Sequence, residues 1–123
     1  LRAAGARDLE TTLLIHPWAL PDFDDYNDYL DPAEALLRAR GHEGVLQLAS
    51  FNPAYRFSEA PPDDPANFTN RSPYPMLHLL REESLERMIA SHPNTDQIPS
   101  RNVALMNDLG SEQLKALLRA CFD

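Results

Sequence analysis

Residues 10–16 of the chain, Glu-Thr-Thr-Leu-Leu-Ile-His, run directly into Pro17. A short run of β-branched and apolar residues that ends at a proline is typical of a buried strand. Residues 45–51, Val-Leu-Gln-Leu-Ala-Ser-Phe, have the same character and are followed one residue later by Pro53. These two stretches predict two strands of the same kind at the centre of the fold.

The segment between the two predicted strands has the spacing of a helix. Phe23, Tyr26 and Leu30 recur at helical intervals, and residues 31–34, Asp-Pro-Ala-Glu, have the features of a helix start. The segment is therefore one helix kinked at Pro32 or two short helices. A strand, a helix and a second strand predict two parallel strands joined by a right-handed crossover. The expected fold class is α/β, with a small, mainly parallel sheet flanked by helices.

The number of strands bears on whether the chain is complete. Two strands alone do not form a stable sheet, so we expect a third strand, either upstream in the intact protein or in a partner chain. The length of 123 residues corresponds to one domain, residues 1–123. Together these points predict a single domain whose N-terminal portion is incomplete.

The remainder of the chain is predicted to be a long loop followed by helices. Residues 52–75 contain six of the eleven prolines and have no clear period, but their four aromatic residues argue against disorder. We expect an ordered Pro-rich loop that lies over the domain or over a partner. Apolar stripes predict helices over residues 75–90 and up to Gly110, and a last helix capped by Ser111. The C-terminal portion is thus expected to be helical.

Composition and charge exclude several classes of function. The chain has 11 Lys and Arg residues against 19 Asp and Glu residues, a net charge of −8, which disfavours binding to nucleic acid or to an anionic membrane surface. No apolar run approaches the length of a membrane span, and no secretion signal is evident. The single cysteine, Cys121, cannot form an internal disulfide, so we expect a cytoplasmic protein.

Several phrases of the sequence carry a resemblance to a known family. They are residues 12–18, Thr-Leu-Leu-Ile-His-Pro-Trp; residues 23–30, Phe-Asp-Asp-Tyr-Asn-Asp-Tyr-Leu; residues 47–51, Gln-Leu-Ala-Ser-Phe; residues 69–75, Thr-Asn-Arg-Ser-Pro-Tyr-Pro; and residues 77–81, Leu-His-Leu-Leu-Arg. In this order they resemble the domain-of-unknown-function 1415 family of small bacterial proteins across residues 10–110. The resemblance implies an extra N-terminal portion with a Cys-Pro-Phe motif, and it implies no activity. The family often has histidine where this chain has Asn52, which disfavours a metal ligand at that position.

Polar residues follow the two predicted strands and suggest a site at their carboxyl ends, where open parallel sheets bind ligands. His16 and Asn52 lie at these ends, and the loop is expected to bring Asn70 and Arg71 over the same edge. His78 and Glu82 are four residues apart, so a helix would place them on one face. The hypothesis is an enzyme that acts on a small anionic metabolite by acid–base chemistry. Its predicted catalytic residues are His16, His78, Glu82 and Asp25, and its predicted substrate-binding residues are Asn52, Asn70, Arg71 and Arg81.

Each of these residues also has a structural interpretation. His16 can shape a loop, His78 can pair with Glu82, Arg71 can tie loop carbonyls together, and Arg81 can form a surface ion pair. The acidic run at Asp22, Asp24, Asp25, Asp28 and Asp31 can hold a divalent cation or stabilise the first turn of a helix. The alternative function is a non-catalytic interaction or assembly module that uses the aromatic loop 52–75, with a second copy of the chain as one partner. The sequence does not identify a cofactor.

Overall fold

The computed structural model describes residues 4, 5 and 7–123. Within these residues, three strands and four α-helices follow one another, with two short 3-10 helices at Pro65–Asn70 and Thr95–Gln97. The strands and helices, in chain order, are β1 (Thr11–Ile15), α1 (Phe23–Ala39), β2 (Leu46–Phe51), β3 (Met76–Arg81), α2 (Glu82–Ser91), α3 (Ile98–Leu109) and α4 (Ser111–Ala120).

The sheet has β3 at its centre, in the order β1-β3-β2, and β3 is antiparallel to both neighbours. His78 lies opposite Leu13 on one side and opposite Ala49 on the other. The fold is therefore mixed α and β, but the predicted mainly parallel sheet is wrong. β1 and β2 do point the same way, because both oppose β3, yet β3 lies between them.

The third strand comes from within the described chain, so the expectation of a strand from elsewhere is also wrong. Residues 76–81, Met-Leu-His-Leu-Leu-Arg, were predicted to begin a helix, because leucines at 77 and 80 fit a helical period. A short apolar run fits a strand equally well, and periodicity alone cannot separate the two. The strand passes into α2 without a loop, since Arg81 ends β3 and Glu82 begins α2.

The helix after β1 is a single element. Pro32 lies inside α1, so residues 31–34 are not a helix start. The helix begins instead after Asp22, whose Oδ1 accepts a hydrogen bond from the backbone N–H of Asp25 at 3.1 Å. The acidic residues that follow lie in the first turn, where the helix dipole favours negative charge.

Only the later part of the helix predicted over residues 75–90 is helical, as α2, whereas α3 and α4 occur where the apolar stripes predict them, apart from the cap of α4. Gly110 ends α3 with φ 81°, a conformation that favours glycine. Ser111 is the first residue of α4 and does not cap it; its hydroxyl donates to the carbonyl oxygen of Asp63 at 3.4 Å. This contact joins the start of α4 to the segment between β2 and β3. No helix among the described residues is both long and apolar enough to cross a membrane.

Tyr26 is the centre of the core and connects α1 to the sheet. Its side chain is fully buried, and its hydroxyl donates to the carbonyl oxygen of Met76 at 2.7 Å. The same hydroxyl accepts from the backbone N–H of Phe51 at 2.9 Å. Phe51 and Met76 are register partners, so the phenol bridges the end of the β2–β3 ladder. The other buried apolar side chains are Leu46, Phe68, Leu77 and Leu114.

Candidate anion-binding pocket

The two histidines of the predicted acid–base set both make local hydrogen bonds. His16 follows β1, and its Nδ1 donates to the carbonyl oxygen of Ala19 at 2.7 Å. His78 lies in the middle of β3, with its Nε2 2.6 Å from Oγ1 of Thr11. Because that hydroxyl donates to the carbonyl oxygen of Leu79 at 2.7 Å, it accepts its bond from His78.

The two predicted carboxylates lie at the starts of helices. Glu82 begins α2, while His78 belongs to β3, so the expectation that these two side chains share one helical face is wrong. Asp25 lies in the first turn of α1. Within the part of the chain that the structure describes, no hydrogen bond or ion pair joins any two of these four residues. The structure therefore forms no acid–base pair from them.

The four residues predicted to bind substrate all make hydrogen bonds to the backbone. The Oδ1 of Asn52 accepts from the N–H of Ala54 at 2.9 Å, and the Nδ2 of Asn70 donates to the carbonyl oxygen of Ser50 at 3.0 Å. Arg81 donates from Nε to the carbonyl oxygen of Leu9 at 2.9 Å. These contacts hold the segments before β1 and after β2 against the sheet.

Arg71 holds the segment between β2 and β3. Its Nε donates to the carbonyl oxygen of Tyr55 at 2.9 Å, and its Nη2 donates to that of Pro62, also at 2.9 Å. The guanidinium carbon lies 4.5 Å from the centre of the Phe68 ring, a cation–π distance. These contacts fix the guanidinium in one place and leave Nη1 without a hydrogen bond to any described residue.

A pocket beside Arg71 brings three cationic side chains together. Its volume is about 260 Å³, and no acidic residue lines it. Because the chain has a net charge of −8, this local cluster of positive charge differs in sign from the charge of the molecule as a whole. The lining residues are Pro53, Phe68, Arg71, Lys115, Leu118, Arg119 and Phe122.

The pocket follows from the geometry of α4. Lys115, Leu118 and Arg119 are spaced at three- and four-residue intervals on α4, so they share one side of it, and Phe122 lies just beyond its end. This side faces the 3-10 helix Pro65–Asn70, which carries Phe68 and ends next to Arg71. The walls are therefore two cations from α4, one cation from the segment after β2, and apolar surface between them.

A second cavity of about 210 Å³ adjoins the first, because the two share Phe68, Arg71 and Leu118 as lining residues. The remaining walls of the second cavity are apolar, with Met106, Leu114 and other side chains of α3 and α4. The two cavities together combine three cationic side chains with apolar walls. Their chemistry suits an organic anion with an apolar body.

The electrostatics of the pocket favour an anion over a cation. Burial lowers the pKa of Arg71 from its usual value, but a guanidinium remains charged at neutral pH. Nζ of Lys115 lies 3.7 Å from Oε1 of Glu112 in an exposed pair, which contributes little energy. In the described ranges, 4–5 and 7–123, no three His, Cys, Asp or Glu side chains are placed to hold a metal ion. The acidic run in α1 therefore forms no metal site there.

Sequence analysis found one member of this pocket and missed two. Arg71 was a predicted anion-binding residue, whereas Lys115 and Arg119 were not considered. The available signal was the four-residue spacing of two cations on a helix face in an acidic chain. Their approach to Arg71 depends on how α4 packs, and a sequence pattern does not report that.

The comparisons with known proteins place the chain in a family without adding an activity. No curated protein and no solved structure matches the chain. A family model described as "Protein of unknown function (DUF1415)" matches residues 1–116 of the 123. Since the match spans nearly the whole chain, the protein belongs to the DUF1415 family.

Proposed function

We propose that the chain is a binding module for a small organic anion, which it holds in the pocket between α4 and the segment after β2. The observation that carries this proposal is the convergence of Arg71, Lys115 and Arg119 on one cavity with no lining acid. Arg71 is already oriented by two carbonyl groups, so a ligand need not order it. A carboxylate or phosphate would accept hydrogen bonds from these cations.

The apolar walls define the rest of the ligand. Phe68 and Phe122 flank the cations, and the adjoining cavity extends the apolar surface towards α3. A small inorganic anion would leave these walls in contact with water. An aryl or alkyl group attached to the anion would cover them, and each buried methylene group contributes about 0.8 kcal/mol. We therefore expect phenyl phosphate to bind more tightly than inorganic phosphate.

Catalysis is not part of this proposal. The predicted catalytic residues His16, His78, Glu82 and Asp25 do not line the pocket. The ligand class of the enzyme hypothesis is kept, because one of its predicted substrate-binding residues, Arg71, lines both cavities. The acid–base step has no support from the geometry of the described residues.

The test is a thermal-shift titration of the protein with phenyl phosphate and inorganic phosphate. A ligand at about 100 times its Kd stabilises the folded state by about 2.7 kcal/mol, which a melting curve detects. We expect phenyl phosphate to raise the Tm of the wild type. For Arg119→Ala, the apparent Kd from the same titration should be at least tenfold higher. Arg119 is exposed, so its replacement should leave the fold intact.

The matched control is Arg87→Ala, which removes the same charge from α2, away from the pocket. Arg87→Ala should respond to phenyl phosphate as the wild type does. An equal reduction of the thermal shift in both variants would mean that the total charge of the protein, and not the pocket, determines the response to phenyl phosphate. A wild type that shows no shift with either anion would also contradict the proposal.

Docking of a protein partner by the aromatic loop 52–75 is the second candidate. Its aromatic residues are largely engaged within the chain. Tyr55 packs edge-on against Phe23 at 5.0 Å and against Phe57 at 5.1 Å between ring centres, and Phe68 is buried. A partner would find Phe57 and Tyr74 only partly exposed. For this reason we rank ligand binding first.

A further inference from the structure

A cavity of about 410 Å³ lies between the start of α1 and the segment that joins β2 to β3, and a space of this size holds a small organic ligand. None of its lining residues lines the two cavities of the anion-binding pocket. Three aromatic rings form part of its wall: Phe23 from α1, and Tyr55 and Phe57 from the segment after β2. The other described residues in the wall are polar, and the charged ones are Asp24 and Arg56. The cavity therefore combines aromatic surface with one charge of each sign.

The three rings form adjoining walls whose planes are steeply inclined to one another. Tyr55 is in the middle, with its ring centre 5.0 Å from that of Phe23 and 5.1 Å from that of Phe57. The planes of these two pairs are inclined by 62° and 72°. Rings at such angles around one cavity suit a compact cation, because the face of an aromatic ring attracts positive charge.

The backbone that carries two of these rings is held in place. The carbonyl oxygen of Tyr55 accepts a hydrogen bond from Nε of Arg71 at 2.9 Å, and the N–H of Phe57 donates to Oδ1 of Asn67 at 3.0 Å. Asn67 is fully buried, so the second bond is shielded from water. A ligand would therefore meet a wall that is already ordered, which lowers the conformational entropy lost on binding.

The two charged side chains of the cavity are not used to hold the fold together. Nη2 of Arg56 lies 3.8 Å from Oδ1 of Asp24, which is longer than a hydrogen bond, and both side chains are exposed. A pair of this kind contributes little energy, so a ligand separates it at little cost. Neither side chain makes a hydrogen bond to any residue that the structure describes. Arg71 differs, because carbonyl groups of its own segment already hold two of its nitrogens.

We propose that this cavity is a second binding site, which takes a small zwitterion with a quaternary ammonium group and a carboxylate. The ammonium group lies against the aromatic wall beside the carboxylate of Asp24, and the carboxylate of the ligand accepts hydrogen bonds from the guanidinium of Arg56. Each charge of the ligand thus replaces one member of the existing ion pair. An anion without the ammonium group would face Asp24 and leave the rings uncovered, and a cation without the carboxylate would face Arg56.

A quaternary ammonium group suits this wall better than a primary one. The groups that could accept hydrogen bonds from a primary ammonium, on Asp24, Asn27 and Ser58, are all exposed to solvent. A primary ammonium is itself strongly hydrated, so it gains little by exchanging water for such acceptors. A trimethylammonium group has no N–H donor, and its methyl groups gain free energy when aromatic rings remove them from water.

The test is isothermal titration calorimetry of the protein with glycine betaine, and with choline and glycine as comparison ligands. Choline keeps the trimethylammonium group but lacks the carboxylate, and glycine keeps the carboxylate but lacks the methyl groups. We expect glycine betaine to bind the wild type, with a Kd at least tenfold lower than that of either comparison ligand. Absence of binding by glycine betaine, or an equal Kd for one of the other two ligands, would overturn the proposal.

Two variants separate the two halves of the site. Arg56→Gln should raise the Kd of glycine betaine at least tenfold without raising that of choline, because it removes the partner of the carboxylate alone. Phe57→Leu keeps an apolar side chain but removes an aromatic ring, so it should weaken the binding of both ligands. Arg87→Gln and Tyr29→Leu are the matched controls at exposed positions outside the cavity, and circular dichroism verifies that all four variants fold. Equal effects of a variant and its control would refute the assignment.

Arg119→Ala distinguishes this site from the anion-binding pocket. The variant should leave the Kd of glycine betaine unchanged, because Arg119 lines only the pocket beside α4. A loss of betaine binding in Arg119→Ala would place the zwitterion in the anion-binding pocket and would overturn the proposal. Since the two cavities share no lining residue, a failure of phenyl phosphate to bind would count against the proposed function and not against this second site.

Discussion

The two outer strands of the sheet have similar sequences but different edges. The outer side of β2 is held at both ends. The N–H of Leu46 donates to the carbonyl oxygen of His42 at 3.0 Å, and the side chain of Asn70 donates to Ser50. The N–H of Asn52 also donates to the carbonyl oxygen of Asn70, at 3.2 Å. The outer side of β1 has no comparable partner among the described residues.

The difference comes from the segments around each strand. β2 is preceded by a turn at His42 and followed by a segment that folds back along its outer side through Asn70. β1 is preceded by a segment held to the end of β3 by Arg81, and none of the described residues of this segment covers the outer side of β1. A strand edge is therefore closed by its connections, and the composition of the strand does not show whether this happens.

Proline substitutions give the sharpest distinction between the inner and outer sides of β1. The N–H of His16 donates to the carbonyl oxygen of Pro75 at 3.0 Å, and alternate residues of an antiparallel ladder face the same neighbour, so Leu14 also faces β3. Leu14→Pro removes this N–H and leaves a carbonyl of β3 unpaired, so it should cost at least about 2 kcal/mol. Leu13→Pro removes an N–H that faces outward, so the fold should lose less than about 1 kcal/mol. Urea unfolding measures both values. Similar losses in the two variants would contradict the assigned directions.

Tyr26→Phe tests how β2 and β3 are joined at the end of the ladder. Without the hydroxyl, the N–H of Phe51 and the carbonyl oxygen of Met76 lose a shared partner inside the structure. Leaving such groups unsatisfied costs about 1–3 kcal/mol, which urea unfolding should detect. Tyr29→Phe is the control on the same helix, because Tyr29 is exposed. An equal effect of both substitutions would exclude a special role for the Tyr26 hydroxyl.

Tyr26→Phe should also change how the stability of the fold depends on pH in the alkaline range. Burial raises the pKa of Tyr26 above its ordinary value, and the bond from Phe51 opposes this only in part. Below about pH 10 both the folded and the unfolded state keep the phenol proton. Between about pH 10 and the raised native pKa the unfolded chain releases it first, so stability falls. The stability difference between wild type and Tyr26→Phe should therefore narrow as the pH rises through this window.

Asn70→Ala should cost less stability than Leu14→Pro or Tyr26→Phe, because it removes only part of the cover on β2. The bond from Nδ2 to Ser50 is lost, while the backbone bond from Asn52 remains. We expect a loss of about 1 kcal/mol in thermal or urea unfolding. Asn107→Ala, on an exposed site of α3, should change stability by less than about 0.5 kcal/mol. A loss at Asn70 no larger than at Asn107 would mean that this amide does not hold the edge.

Local patterns predicted most of the elements, but they missed β3 and the arrangement of the sheet. Residues 10–16 and 45–51 contain β1 and β2, and the pattern over α1 and the stop at Gly110 agree with the structure. The prediction of a parallel sheet was wrong because residues 76–81 form the central strand. Their leucine spacing fits a helix as well as a strand. Only pairing with β1 and β2 selects the strand, and such long-range pairing is not encoded in a local window.

The residues of the pocket also could not be grouped from local sequence patterns alone. Arg71 was identified from its chemistry, but its companions Lys115 and Arg119 lie more than forty residues away along the chain. Asn52 and Asn70 were predicted to face a substrate, and the structure directs their side chains to the backbone. The residue types that bind ligands also satisfy loop carbonyls, so sequence alone cannot assign the role.

The position of β3 between β1 and β2 has a consequence during synthesis. Sixty residues separate Ile15 from Met76, whereas 24 separate Phe51 from Met76. At roughly 5–20 residues per second, β1 waits roughly 3–12 s on the ribosome before its partner strand is made. β2 waits less than half as long and has the shorter loop to close. The strand that is translated first therefore joins the sheet last, and its apolar residues are the ones that a nascent-chain chaperone would meet.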